Sequence, residues 1–263
     1  MQVLIRPWGA MHYRIDGPSD GASEGPAVLF ANSLGSDLRL WDPLLAQMPG
    51  IRAIRFDKRG HGLSDLGGAV SVEDLAEDAA ALIDHLGTGP VVVVGLSIGG
   101  MIAQVLAARR PDLVRAAVLS NSAVRMGTPE SWNDRIAAIR AGGMGAVIDT
   151  VMERWFSPAF RARPELALWR NMVLRASPEG YIATCAALAA ADLGAIAPTL
   201  RLPVCVIGGE HDGSSPPEQV RATAAMIPGA RFHLIEEVGH LPCIEAPQRV
   251  AAILGGILRD ARA

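Results

Sequence analysis

Only three cysteines stand in 263 residues, Cys185, Cys205 and Cys243, odd in number and far apart. That leaves no disulfide framework and no metal-ligand spacing, and it points to a reducing cytoplasm. Charge is sparse too. Acidic and basic residues make up 19% of the chain and the formal net charge is −3. Such a balance argues against nucleic acid or an anionic membrane surface as the main partner. The longest apolar run, IATCAALAAA at 182–191, falls short of the roughly 20 residues that a bilayer-spanning helix needs. The opening MQVLIRPWGAMHYRIDG lacks the apolar core of a signal peptide. No internal repeat or low-complexity tail is present. The glycine spacings of phosphate loops, G-x-x-x-x-G-K-[ST] and G-x-G-x-x-G, are missing as well.

What the chain has is apolar bulk, at 50% of residues, enough for one large α/β domain or a core with a small insertion. Two alternating segments near Val3–Arg6 and His12–Ile15 suggest a hairpin around Gly9. Strand-like runs follow: AVLFA (27–31), IRAIRF (51–56), VVVV (91–94), AAVLS (116–120), VCVIG (204–208) and RFHLI (231–235). Helical patterns at 40–48, at 72–86 and after Ser97 alternate with the early ones, which predicts a mostly parallel sheet covered on both faces. Between Ser120 and Val204 no convincing strand occurs. Thr128-Pro129-Glu130 and Ser177-Pro178-Glu179 start helices there, and Gly142-Gly143 ends the first of them. The expected division is a core of 1–120 and 198–263 with a helical cap of 121–197 above the carboxyl ends of the strands.

The chemistry is concentrated in VVVVGLSIGGM (91–101). Four β-branched residues make a strand buried on both faces, and IGGMIAQVLAAR reads as the helix that follows. Ser97 sits in the turn between them. Gly95 and Gly99 leave room for a sharp turn, and Gly100 lets the helix approach the strand. This is G-x-S-x-G, a nucleophile elbow.

A serine hydroxyl needs a base to take its proton and a carboxylate to orient that base. In elbow-bearing folds the chain order is serine, acid, histidine. Asp212 ends the strand VCVIGG and His240 lies in the turn EVGHLP, both where that order requires them. Glu210 is the competing acid but lies close to the strand end. His211 adjoins Asp212 and would point elsewhere. Asp57 precedes the serine, so the order disfavours it, and Arg59, His61 and Ser64 are expected to tie down its loop. An oxyanion requires amide donors. The Ile98 N–H is one, and the Leu34 N–H in FANSLGSD is the other expected donor, with Ser33 beside it and Asn32 able to orient the loop.

Together FANSLGSDLRLWDPLL, RFDKRGHGLSD, GLSIGGM, GGEHD and GHLPCIEAP resemble the α/β-hydrolase fold. Within it the chain is similar to 3-oxoadipate enol-lactonases, with NSLG in place of the His-Gly of other branches. SNSAVRMGTPESWNDRI, ERWFSP and TCAALAAADL are similar to that family's cap, and the resemblance runs from about Met11 to Leu258. The chain departs from the family pattern at Ala189 and Ala190, where charged residues are common, and at Ser215, where threonine is common.

The resemblance implies a cytoplasmic serine hydrolase of the β-ketoadipate route of aromatic degradation. Its substrate would be a small enol lactone bearing a free carboxylate, opened through an acyl-enzyme with no metal or organic cofactor. The carboxylate asks for a cation, and the cap holds Arg125, Arg135, Arg140 and Arg154. Arg135 and Arg154 rank first because Trp132 and Trp155 lie beside them and suit an apolar pocket wall. Alternatives on the same scaffold are a C–C bond hydrolase, a perhydrolase, a general carboxylesterase or a non-catalytic ligand receptor. Epoxide hydrolases and dehalogenases are disfavoured, because they carry aspartate where this chain has Ser97.

Overall fold

The computed structural model describes residues 1–18 and 25–261. Among them eight strands form one sheet: β1 (Gln2–Arg6), β2 (Gly9–Asp16), β3 (Val28–Ala31), β4 (Ala53–Phe56), β5 (Val91–Leu96), β6 (Val114–Ser120), β7 (Val204–Gly209) and β8 (Arg231–Ile235). Their spatial order is β1-β2-β4-β3-β5-β6-β7-β8. β2 runs antiparallel to both β1 and β4, and every later pairing is parallel. The later strand ends differ from the sequence runs by up to two residues, the range over which element boundaries fray, and β2 starts three residues earlier, at Gly9 rather than His12.

β5 lies at the centre because it is the most apolar strand. All six of its residues are buried, so neither face meets water, as parallel strands under helices require. Each fully buried valine contributes roughly 1.5–3 kcal/mol of transfer free energy. The helix after it, α3 (Ile98–Arg109), is buried from Ile98 to Ala107 and has apolar residues on all sides. Such a helix belongs to the interior rather than to the surface.

One expected helix is shorter than its sequence pattern. The stretch 40–48 contains a 3₁₀ turn, Leu38–Trp41, followed by α1 (Asp42–Leu45). Pro43 in the first turn of α1 cannot accept a continuing helix from the amino side, so the apolar periodicity spans two short pieces. α2 (Val72–Leu86) and α3 (Ile98–Arg109) match their patterns, and Ser71 and Asp74 close a capping box at the start of α2.

Between β6 and β7 the chain is helical: α4 (Pro129–Gly142), α5 (Ile148–Trp155), α6 (Pro158–Arg161), α7 (Leu166–Leu174) and α8 (Pro178–Ala190). Thr128 caps α4 and Ser177 caps α8 through their hydroxyl oxygens. The chain then closes with α9 (Pro217–Met226), α10 (Pro242–Glu245) and α11 (Pro247–Asp260). No helix among the described residues is long and apolar enough to cross a membrane.

α3 approaches the sheet backbone to backbone. A Cβ built on Gly99 would stand 2.0 Å from the Ala31 carbonyl oxygen, and one on Gly95 would stand 2.0 Å from that of Gly99. No side-chain rotation relieves a clash with backbone. Gly99→Ala is therefore expected to cost about 1–3 kcal/mol or more, as overpacking does, and to displace the turn at Ser97. Urea unfolding together with ester turnover measures both effects. An unchanged unfolding midpoint with unchanged turnover would show that the approach is looser than these distances.

Candidate active site

Ser97 joins β5 to α3 with φ 60° and ψ −121°, a left-handed conformation that a non-glycine residue adopts at a cost of about 1–3 kcal/mol. The surroundings enforce it. The Ser97 N–H donates to the Ser120 carbonyl at 2.9 Å, and the Gly100 N–H donates to the Ser97 carbonyl at 2.8 Å. The hydroxyl thus stands at the carboxyl edge of the sheet, 7% exposed.

Asp212 follows β7, and His240 follows β8 in the turn before α10. Parallel pairing of β7 and β8 brings both turns to the same edge. His240 Nδ1 lies 2.8 Å from Asp212 Oδ2, and both side chains are buried. The Asp212 carboxylate is saturated. Its Oδ1 accepts the Ser214 and Ser215 N–H groups at 2.7 and 2.9 Å, and its Oδ2 also accepts the Asn121 amide at 2.8 Å. A carboxylate so supplied with donors is held in place as an acceptor facing Nδ1, the arrangement that orients the ring and leaves Nε2 free to accept. Glu210, the competing acid, is exposed and accepts the Glu237 N–H instead. Ser97 Oγ makes its one hydrogen bond among the described residues to Met126 Sδ at 3.9 Å, so the serine–histidine bond is open here. Such bonds are often loose in unliganded sites and tighten around substrate.

Loop 32–37, after β3, reaches the same edge. Neither the Leu34 N–H nor the Ile98 N–H has an acceptor among the described residues, and both residues adjoin Ser97. The Ser33 hydroxyl is buried, unpartnered and on the cavity wall. Asn32 is placed otherwise. Its amide donates to the Phe56 carbonyl at 2.9 Å and accepts Trp41 Nε1–H at 2.7 Å. It holds the loop and does not line the cavity.

The cavity at Ser97 is about 30 Å³ and is lined by Ser33, Leu34, Met126, Trp132, Arg135, Trp155, Tyr181, Leu188, Ser214, Ser215 and His240. That is about one water molecule's share of the liquid. Trp132, Arg135 and Trp155 thus reach the wall together. Arg135 packs over the Trp132 ring at 5.2 Å and lies 3.4 Å from the Tyr181 hydroxyl, with no carboxylate partner among the described residues. Burial pushes the Tyr181 hydroxyl up to about 12, so it stays protonated. Arg154 does not reach the wall. Its side chain is exposed and its carbonyl accepts the Gly213 N–H at 3.1 Å. A roomier cavity of about 550 Å³, bounded by Asp37, Arg39, His61 and Arg175, contains none of Ser97, Asp212 and His240. Volume alone would pick the wrong place.

The end of α5 is tied to both functional turns. The Trp155 carbonyl accepts the His240 N–H at 2.8 Å, as that of Arg154 does the Gly213 N–H. The Glu245 carboxylate adds a bracket, accepting the Gly239 N–H at 2.8 Å and the Ser157 hydroxyl at 2.5 Å. Burial pushes Glu245 above the usual carboxylate range. Sequence reasoning missed Asn121, Met126, Tyr181 and Glu245. Asn121 carried a signal, since asparagine after a strand tolerates the left-handed φ of 50° found there. Met126 and Tyr181 carried none.

A family model described as alpha/beta hydrolase fold matches residues 26–247. The 3-oxoadipate enol-lactonase 2 of Acinetobacter baylyi is 31% identical over 232 residues, covering 87% of this chain and 86% of that one. The 3-oxoadipate enol-lactonase 1 of the same organism is 30% identical over 263 residues, covering 99% and 97%. The crystal structure of an enol-lactonase from Burkholderia xenovorans superposes with a TM-score of 0.93 at 35% identity, covering 98% of this chain and 100% of that one. On the family match over most of its length, and on relatives 30–31% identical over nearly the whole chain, this chain belongs to the α/β-hydrolase family and is a carboxylic-ester hydrolase.

Proposed function

We propose that this hydrolase opens a small enol lactone bearing a free carboxylate, taking 3-oxoadipate enol-lactone to 3-oxoadipate. The observation that carries the reading is Arg135. It is a guanidinium on the wall of the Ser97 cavity with no carboxylate of its own among the described residues, and it is matched to a substrate that brings one. The names of the relatives favour the same substrate class.

In this reading Ser97 attacks the ring carbonyl while His240 Nε2 takes its proton, and Asp212 steadies the imidazolium through Nδ1. The tetrahedral oxyanion is received by the Leu34 and Ile98 amides, which are unoccupied and preorganised. The ring oxygen departs as an enolate, which needs little acid assistance to leave and becomes the ketone on taking up the proton that His240 held. The acyl chain stays on Ser97. His240 then activates water, and the 3-oxo diacid leaves. Residues 121–197 act as the cap over this chemistry, with Trp132, Trp155 and Tyr181 excluding water around Arg135. Ser33 Oγ, lacking a partner, is available to hydrogen-bond the substrate. Because the cavity holds about 30 Å³, the wall from α4 and α8 moves outward to admit a lactone, while the end of α5 stays pinned to the acid and histidine turns.

Ser97→Ala is expected to abolish turnover with the fold intact, since a hydroxyl at this edge contributes little to packing. His240→Ala is expected to cost on the order of a thousandfold or more in kcat. Asp212→Asn should bind substrate and lose rate. Steady-state kinetics on the enol lactone and on a simple ester checks all three, and activity within tenfold of wild type for Ser97→Ala or His240→Ala sinks the mechanism.

A charge-assisted arginine–carboxylate contact is worth roughly 1.5–3 kcal/mol. Arg135→Ala is therefore expected to raise KM for the acidic lactone by about tenfold to a hundredfold, and to leave a neutral ester of similar size nearly unaffected. The comparison is the ratio of kcat/KM for charged and neutral substrates, with Arg154→Ala as the control. If the ratio does not move for Arg135→Ala, the enzyme is an esterase that does not read a carboxylate.

A further inference from the structure

Lys58 is the only lysine in a chain that otherwise carries its side-chain positive charge on arginine. It is not on the surface. Its side chain is 1% exposed, and Nζ donates to the Ser33 carbonyl at 2.6 Å and, more distantly, to the Ser36 carbonyl at 3.4 Å. The nearby carboxylates are engaged elsewhere. Asp57 accepts the Leu38 and Leu63 N–H groups and meets His12 Nδ1, while Asp37 is held by Arg39. Burial pushes the Lys58 ammonium down to about 7, against the pull of Asp57 and Asp37. Burying an amine on neutral carbonyls is costly, and the cost asks for a reason.

The Ser33 carbonyl and the Leu34 N–H are the two ends of one planar peptide group. The Ser33 oxygen accepts from Lys58 Nζ, from Ser36 Oγ at 2.8 Å and from Ser36 N–H at 3.3 Å. The trans amide hydrogen therefore points the opposite way, and it has no acceptor among the described residues. The next amide is kept out of the site, because the Gly35 N–H donates to His61 Nε2 at 3.0 Å. Of these two consecutive amides, the Leu34 N–H is the one left to face an incoming anion.

We propose that Lys58 is a positioning residue for acyl transfer. By donating to the Ser33 oxygen it fixes and polarises the Ser33–Leu34 peptide, and the Leu34 N–H becomes a stronger donor to the oxyanion on Ser97. The inference rests on the serine-hydrolase reading above. Hydrogen bonds in series strengthen one another in a low-dielectric interior. A positive charge at the far end of the peptide also favours negative charge at the near end. The coupling is reciprocal: if protonated Lys58 favours the oxyanion, the oxyanion favours the proton on Lys58. The other titratable groups that face this pair are Asp37 and Asp57, His61 across the loop, His12 behind Asp57, and Arg135 and Tyr181 on the helices above. His61 is held neutral by burial and by Lys58 itself.

A single lysine makes the test direct. Protein grown on lysine labelled with ¹³C at Cε and ¹⁵N at Nζ gives one side-chain signal, whose shift reports the Lys58 proton. A trifluoromethyl ketone, which adds to a serine as a tetrahedral anion, serves as the probe. The Lys58 titration midpoint is expected to rise by about one pH unit or more in the adduct, equivalent to about tenfold tighter binding of the anion below the free midpoint. In Ser97→Ala the ketone should leave the midpoint in place. Lys58→Met is expected to lower kcat on a neutral ester by about tenfold to a hundredfold, with KM within threefold and thermal stability equal to or above wild type. A purely structural lysine would instead lower stability and leave the adduct-dependent midpoint flat. An adduct that forms without moving the midpoint overturns the role of Lys58 alone, and it does so on the wild-type protein whether or not Lys58→Met folds. Failure of the ketone to form any Ser97-dependent adduct removes the serine-hydrolase reading, and the role of Lys58 falls with it.

Discussion

The close approach of α3 to the sheet is the constraint on which the site depends. Gly95, Gly99 and the Ala31 carbonyl meet with no room for a methyl group. That contact sets Ser97 in its left-handed conformation and brings the first amide of α3 against the loop that follows β3. β3 and β5 are neighbours in the sheet, so the loop carrying Leu34 meets Ser97 at one cavity. β6 and β7 are neighbours next to them, which delivers Asn121 to Asp212. The functional turns all leave the carboxyl ends of adjacent parallel strands, the edge at which open α/β sheets bind ligands.

Around this edge the interior is polar but nearly saturated. Asp212 and Asp57 each accept three or more hydrogen bonds, and Asn32 uses both ends of its amide. Buried polar groups of this kind are costly when unpaired and rigidify a site when paired. The exceptions carry information. Ser33 Oγ and the amides of Leu34 and Ile98 have no hydrogen-bond partner among the described residues; Ser33 and Leu34 border the cavity at Ser97, and Ile98 directly follows that serine. A preorganised site looks like this before its ligand arrives: donors fixed in place, with their partners to be supplied by the substrate.

The helices between β6 and β7 are attached unevenly. The end of α5 is hydrogen-bonded to the turns of both Asp212 and His240, with Glu245 bracketing Ser157 to Gly239. α4 and α8 supply Trp132, Arg135, Tyr181 and Leu188 to the cavity, and no comparable backbone tie joins those four residues to the acid and histidine turns among the described residues. In the proposed mechanism, substrate specificity rests on the less tied side chains of α4 and α8, and proton transfer rests on the hydrogen-bonded turns.

Sequence alone determined the local chemistry of this protein. A valine run followed by Gly-x-Ser-x-Gly dictates a buried strand and a sharp turn with the serine at its apex, because each step follows from β-branching, burial and the space a glycine leaves. Chain order placed Asp212 and His240 after later strands, and capping residues marked α4 and α8, for the same local reasons. The extent of α1 was misjudged because apolar periodicity continues across a proline that the backbone cannot. Only the tertiary structure decided which groups meet. It separated Arg135, on the cavity wall, from Arg154, which faces solvent although both sit beside a tryptophan. It brought Met126 to Ser97 and Tyr181 to Arg135, and it sent the lone lysine beneath the Ser33 carbonyl. The reason is that such contacts span tens of residues of chain and are set by strand order and helix docking, which leave no local pattern in the residues that make them.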